Sequence, residues 1–234
     1  RLLLDFAYLP PLPKALALSW VGSRCQVRIG WQWSLAFPPP AGRSRSHGAR
    51  PLLLVTMKGA NAGALTLRAA RALAGLPPAF RARFAIGPKW RDSDSIARKI
   101  ISLGAHFETI EGSGELTPEY ARADLALATF GNAAFDLAAA GVPAIYLCDD
   151  DAAFASASAF EVAGMGTALR PKEEMSDAAL VAAVGDLMND DRKRHAMQAA
   201  GLLNIDGAAV QRIAADLAAA LNSGRRQGTA KGGR

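Results

Sequence analysis

The sequence predicts an α/β fold, a Rossmann-like parallel sheet with helices on both faces, and three observations carry the prediction. From residue 51 onward, short runs rich in Leu, Val, Ile and Phe alternate with Ala, Leu and Arg stretches of helical period. The apolar runs are continuous rather than alternating, which is the pattern of strands buried on both faces. Successive runs are separated by enough residues for a helix, so the connections are right-handed crossovers between parallel strands.

The elements follow in order. Residues 1–37 hold extended pieces at 2–5, 15–20 and 27–30 between Pro- and Gly-containing turns, too little for a self-sufficient domain. Residues 38–50, within PPPAGRSRSHGARP, have the composition of a linker. The domain proper spans 51–222. It starts with a strand at 51–57 (PLLLVTM), a Gly-containing loop at 58–63 and a helix at 64–74. A strand at 83–86 precedes a helix at 93–103 with Ser93 as its cap. After a strand at 106–110, Thr117-Pro118-Glu119 opens a short helix, with Thr117 as cap and Pro118 in the first helical position. A strand at 124–129, a helix at 132–140, a strand at 144–148 and a helix at 152–163 continue the alternation. After residue 168 the pattern turns helical, at 177–188, 190–203 and 208–221, and the Gly-rich basic residues 223–234 read as a disordered tail.

Charge argues against a nucleic-acid partner. The chain carries a formal charge of +6 from 27 Lys and Arg against 21 Asp and Glu. Seven of those bases lie before residue 51 and four after residue 222, while only Asp5 among the acids lies outside the domain. The domain therefore holds 16 bases against 20 acids, and no basic stripe for a phosphate backbone is evident on it. Cys25 and Cys148 have neither zinc-ligand nor disulfide-framework spacing and read as reduced thiols, which suits a cytoplasmic protein. The apolar patches between residues 2 and 18 are broken by Asp5, Lys14 and three prolines, short of the roughly 20 residues that span a bilayer. No membrane span, signal peptide, metal or cofactor is expected, and peripheral membrane association stays open. The chain begins with Arg1, so its natural start is expected upstream.

Ligands of an open parallel sheet bind beyond the carboxyl ends of the strands. Two loops are expected there. The first is Thr56-Met57-Lys58-Gly59-Ala60-Asn61-Ala62-Gly63. Its small residues let backbone N–H groups approach a phosphate at a helix N-terminus, and Lys58 adds a full charge. It is neither a dinucleotide fingerprint nor a P-loop. The second is Thr129-Phe130-Gly131-Asn132, which breaks a strand and starts a helix with Asn132 as a candidate cap. Asp136 falls in the first turns of that helix, where it complements the dipole or accepts hydrogen bonds from ribose hydroxyls. Asp149-Asp150-Asp151 end the next strand; adjacent side chains diverge, so they read as a solvated loop and helix cap rather than a metal site.

The runs FGNAAFDLAAAGVPAIYL, DDDAAFASASAFEVAGMG and NIDGAAVQRIAADLA resemble the C-terminal domain of glycosyltransferases of the spore-coat polysaccharide biosynthesis type. These are related to the sugar-nucleotide hydrolase of pseudaminic acid synthesis and more remotely to glycosyltransferase family 28. Residues 130–144 match the family run Phe-Gly-x-Thr-Ala-Tyr-Glu-Leu-Ala-Ala-x-Gly-Val-Pro-Ala, and 55–73 resemble its first strand, glycine loop and helix. The resemblance implies a GT-B architecture with residues 1–37 as the remnant of an N-terminal domain. It implies a nucleotide-sugar donor held by Lys58, Gly59, Ala60, Asn61, Phe130, Gly131, Asn132, Ala133 and Asp136, with Asp136 facing the ribose. Asp150, Asp151 and Ser156 would line the substrate. Lys58, Asn61, Ala133 and Asp136 stand where the family usually has Gly, Asp, Thr and Glu. The family's catalytic base belongs to the N-terminal domain, so none of His47, His106 and His195 is nominated. The implied function is nucleotide-sugar binding in a glycosyltransferase-like enzyme of cell-surface polysaccharide synthesis. A sugar-nucleotide hydrolase and a non-catalytic nucleotide-binding module are the alternatives.

Overall fold

The computed structural model describes residues 6–11, 26–38, 50–59, 61–88, 90–111, 116–171 and 176–230. Strands β1 (Phe6–Leu9) and β2 (Gln26–Ile29) pair in parallel as a separate two-stranded sheet, followed by a tight 3-10 turn at Trp31–Trp33. The expected extended pieces at 2–5 and 15–20 lie outside the described residues.

A second sheet of six parallel strands forms the body: β3 (Leu52–Thr56), β4 (Arg81–Ile86), β5 (Phe107–Glu111), β6 (Leu125–Thr129), β7 (Ala144–Cys148) and β8 (Gly166–Pro171). Their order is β5-β4-β3-β6-β7-β8. Helices α1 (Ala62–Leu73), α2 (Ser93–Leu103), α3 (Thr117–Arg122), α4 (Asn132–Ala139) and α5 (Asp151–Val162) make the crossovers, and α6 (Asp177–Asn189), α7 (Asp191–Asn204) and α8 (Ala209–Ala230) complete the chain.

The sequence of the central strands explains the two-sided core. β3, β6 and β7 are buried at every position. Because successive side chains point to opposite faces, Leu53, Val55, Leu125, Leu127, Ile145 and Leu147 pack with Leu73, Ile100, Leu180 and Val184 on one side. Leu54, Ala126, Ala128, Ala144 and Tyr146 pack with Tyr120, Leu137, Ala157 and Phe160 on the other.

Three expectations are corrected. A sixth strand, β8, lies across the point where the sequence pattern turns helical; among the described residues it is an edge strand paired only with β7, and its GTALRP sequence lacks the continuous apolar run of a central strand. Asp92, not Ser93, occupies the N-cap of α2, and Leu116, not Thr117, that of α3. The last helix is described to Ala230. Residues 231–234 lie outside the described residues.

The N-terminal strands fasten to the body at its far end. Tyr8 Oη donates to Asp216 Oδ2 at 3.0 Å, and Arg28 Nε donates to the same oxygen at 3.0 Å. Trp31 meets Phe160 edge-on at 4.9 Å between ring centres, and Arg212 donates to the Gln32 carbonyl at 3.0 Å. Among the described residues, no helix is long and apolar enough to cross a membrane.

Candidate functional site at the carboxyl edge of the sheet

Counted within the six-stranded sheet, the strand order is 3-2-1-4-5-6, so the direction of winding reverses between β3 and β6. That reversal opens a crevice at the carboxyl ends of these two strands, where doubly wound folds take their ligands. The two loops singled out in the sequence leave the sheet there.

In the first loop, Thr56 and Met57 are buried and Lys58 emerges. The Lys58 backbone N–H donates to Thr129 Oγ1 at 2.9 Å, which ties the end of β3 to the end of β6. Gly59 has φ +99°, a left-handed conformation that a side chain would strain, and Asn61 occupies the N-cap of α1 without a side-chain hydrogen bond. Ala60 lies outside the described residues.

In the second loop, Phe130 N–H donates to the Leu147 carbonyl at 2.8 Å, and Gly131 rather than Asn132 stands at the N-cap of α4. Asn132 is the first helical residue, so the expected side-chain cap is absent; α4 starts instead with Ala134 N–H donating to the Gly131 carbonyl at 2.9 Å. Ala133 is buried.

Lys58, Gly59 and Asp136 line one cleft of about 580 Å³, walled also by Phe37, Trp90, Thr117 and Tyr120. Asp136 Oδ1 accepts the backbone N–H of Phe37 at 2.8 Å. Burial raises the Asp136 pKa above the ordinary 3.8, against the opposing pull of the Phe37 N–H and the Lys58 charge. The Tyr120 hydroxyl is pushed up to about 12 by burial and by the Asp136 charge.

The two loops do not enclose a single cleft. Gly131 and Asn132 line a separate cavity of about 240 Å³ with Ser156 and the rings of Trp31, Phe130, Phe135 and Phe160. Lys58, Gly59 and Asn61 also border a third, of about 420 Å³, that reaches Arg68 and Asp149. The three acids of the 149–151 run are placed differently. Asp150 caps α5, accepting from Ala153 N–H at 2.7 Å, and Asp151 is exposed in its first turn, whereas Asp149 faces the glycine loop. Ser156 donates back to the Ala152 carbonyl at 2.9 Å while bordering the aromatic cavity.

His106 packs against Phe80 at 5.2 Å and its pKa is lowered by burial and by Arg50. His195 is on α7, and His47 lies outside the described residues. Cys148 is buried, its thiol pushed up to about 12 by burial and by Asp149 and Asp150. No cluster of metal-ligating side chains occurs among the described residues. Sequence reasoning missed Phe37, Trp90 and Tyr120, and took Thr129 as the start of the second loop without its bond to Lys58. Of these only Thr129 carried a signal, a hydroxyl at the carboxyl end of a buried strand.

Comparison with solved structures identifies the architecture. MurG of Acinetobacter baumannii superposes with a TM-score of 0.61 at 18% identity over 72% of this chain and 49% of its own. A co-structure of S. aureus MnaA with UDP gives 0.60 at 18% identity, over 74% of this chain and 47% of its own. The calicheamicin glycosyltransferase CalG4 gives 0.59 at 21% identity, over 88% and 55%. The chain has the Rossmann-like fold found in GT-B glycosyltransferases. It spans about half the length of each of these neighbours. No protein-family model and no curated protein matches the sequence.

Proposed function

We propose that the chain is the nucleotide-sugar-binding domain of a glycosyltransferase-like enzyme of cell-surface polysaccharide synthesis, acting in the cytoplasm. The observation that carries this reading is the convergence of Lys58 and Asp136 in one cleft at the point where the sheet reverses. Lys58 supplies a cation for a diphosphate, and the N-terminus of α1, where Asn61 makes no side-chain cap, adds backbone donors and the positive end of the helix dipole. Asp136 accepts from ribose hydroxyls. The UDP in the MnaA co-structure supports a nucleoside diphosphate as the ligand class, and the resemblance of residues 130–144 supports the polysaccharide role. No residue described here is assigned as catalytic base.

The test is thermal stability in the presence of UDP, GDP and CMP. A ligand at a hundred times its dissociation constant adds about 2.7 kcal/mol. A shift with one of these nucleotides supports the donor site; no shift with any of them sinks it.

A second reading, a non-catalytic remnant, is favoured by one observation: two groups a ligand would use already have protein partners, the Lys58 N–H on Thr129 and Asp136 Oδ1 on Phe37. Turnover of a bound nucleotide sugar, to water or to an acceptor, separates an enzyme from this reading.

A further inference from the structure

The contact between Phe37 and Asp136 joins segments 99 residues apart, and it places the last residue of the expected N-terminal remnant inside the candidate site. The segment around it is pinned on both sides. Ala36 is buried in the core cluster that also holds Leu137 and Tyr120, and the Pro38 ring rests against Gly207, where a Cβ would come within 2.6 Å of Pro38 Cγ. Upstream, the Gln32 carbonyl accepts from Arg212, which is itself paired with Asp206. The Phe37 N–H is thus presented by a fastened backbone, while its ring stays two-thirds exposed at the mouth of the cleft.

We propose that Phe37 is a positioning residue: its backbone N–H fixes Asp136 Oδ1 so that Oδ2 is turned to the cleft as the acceptor for a ribose diol. This rests on the nucleotide reading above. Among the described residues, no other hydrogen bond reaches the Asp136 carboxylate, which leaves Oδ2 for a ligand. The other groups facing it are the Lys58 ammonium from the loop after β3 and the Tyr120 hydroxyl from α3. A carboxylate held by one N–H on one oxygen presents the other in a single orientation, which lowers the cost of ordering it on binding. The same N–H stabilises the ionised form, the form that accepts from hydroxyls.

The experiment compares Phe37→Pro with Phe37→Ala. Both lose the ring, and only the first loses the N–H. UDP and pyrophosphate binding are measured by calorimetry between pH 4 and 8, and the Asp136 carboxyl is titrated by carbon-13 NMR in the ligand-free proteins. Phe37→Pro is expected to bind UDP about tenfold more weakly than Phe37→Ala, with pyrophosphate affinity equal in the two and the Asp136 titration moved to higher pH. Equal UDP affinities and superimposed Asp136 titrations overturn the proposal. If Phe37→Pro does not melt cooperatively, Gly207→Ala decides, because it pushes Pro38 and hence the Phe37 backbone without touching the cleft. It is expected to lose UDP but not pyrophosphate, and wild-type affinity for UDP overturns the proposal. Wild-type protein that binds no UDP at all overturns the nucleotide reading and this role together, whereas binding that is indifferent to both variants overturns only the role.

Discussion

Lys58 and Thr129 are joined by a 2.9 Å hydrogen bond from the backbone of one to the hydroxyl of the other, across the line where the sheet changes its direction of winding. Parallel strands that diverge at a crevice have no further ladder bond to hold their ends, so this side chain sets the spacing of the two loops. Thr129→Val removes the acceptor at nearly constant shape and is expected to cost about 1 kcal/mol. Thr129→Ser keeps the acceptor. Urea unfolding of the pair checks the cost, and equal midpoints would falsify it.

Phe160 is the hub of the aromatic cluster that joins the N-terminal segment to the body. Its ring meets Trp31, Phe130, Phe135 and Tyr146 edge-on at 4.9 to 5.6 Å, and it is almost fully buried. Phe160→Ala is expected to destabilise by about 3–5 kcal/mol through the cavity it leaves. Chemical denaturation measures the loss, and a change below about 1 kcal/mol would show that the cluster closes over the gap.

The architecture was legible because buried parallel strands write themselves as apolar runs: the strand at Ala144–Cys148 and the helix at Ser93–Leu103 stand where the pattern puts them. β8 was not, since an edge strand is stabilised by pairing and partial cover rather than by its own hydrophobicity. Of the residues the sequence singles out, Lys58, Gly59 and Asp136 share one cleft, whereas Gly131 and Asn132 line another. What joins Lys58 to Asp136 while turning Asn132 toward an aromatic cavity is tertiary geometry. Phe37 could not be found from the sequence, because its contribution is a backbone N–H, which every residue but proline carries.

The pH dependence of stability carries a signature of Asp136. Its folded pKa is raised by burial, so between the ordinary 3.8 and the folded value the native state holds more protons than the unfolded chain. Stability is accordingly lost as pH rises through that window. Asp136→Asn removes this component, and thermal melts from pH 3 to 7 are expected to show a more favourable slope for the variant across the window. Parallel curves would refute the burial cost.

Asp206 contributes with the opposite sign. The Arg212 hydrogen bond, with help from the Ala208 N–H, holds its pKa at about 2. Its contribution is therefore complete above the ordinary 3.8 and is lost as pH falls toward about 2. Asp206→Asn is expected to flatten acid unfolding between these values. Because Arg212 also donates to the Gln32 carbonyl, the variant should raise hydrogen exchange in the 31–37 segment before it changes exchange in the central strands.

The grip of Tyr8 on Asp216 spans 208 residues of sequence. A chain made at 5 to 20 residues per second needs roughly 10 to 40 s to deliver the second partner after the first. During that interval on the ribosome the early strands have no α8 to fasten to. Their exposed backbone edges and the Trp31 ring are then surfaces that chaperones, or a neighbouring copy of the same nascent chain, encounter before the body can cover them.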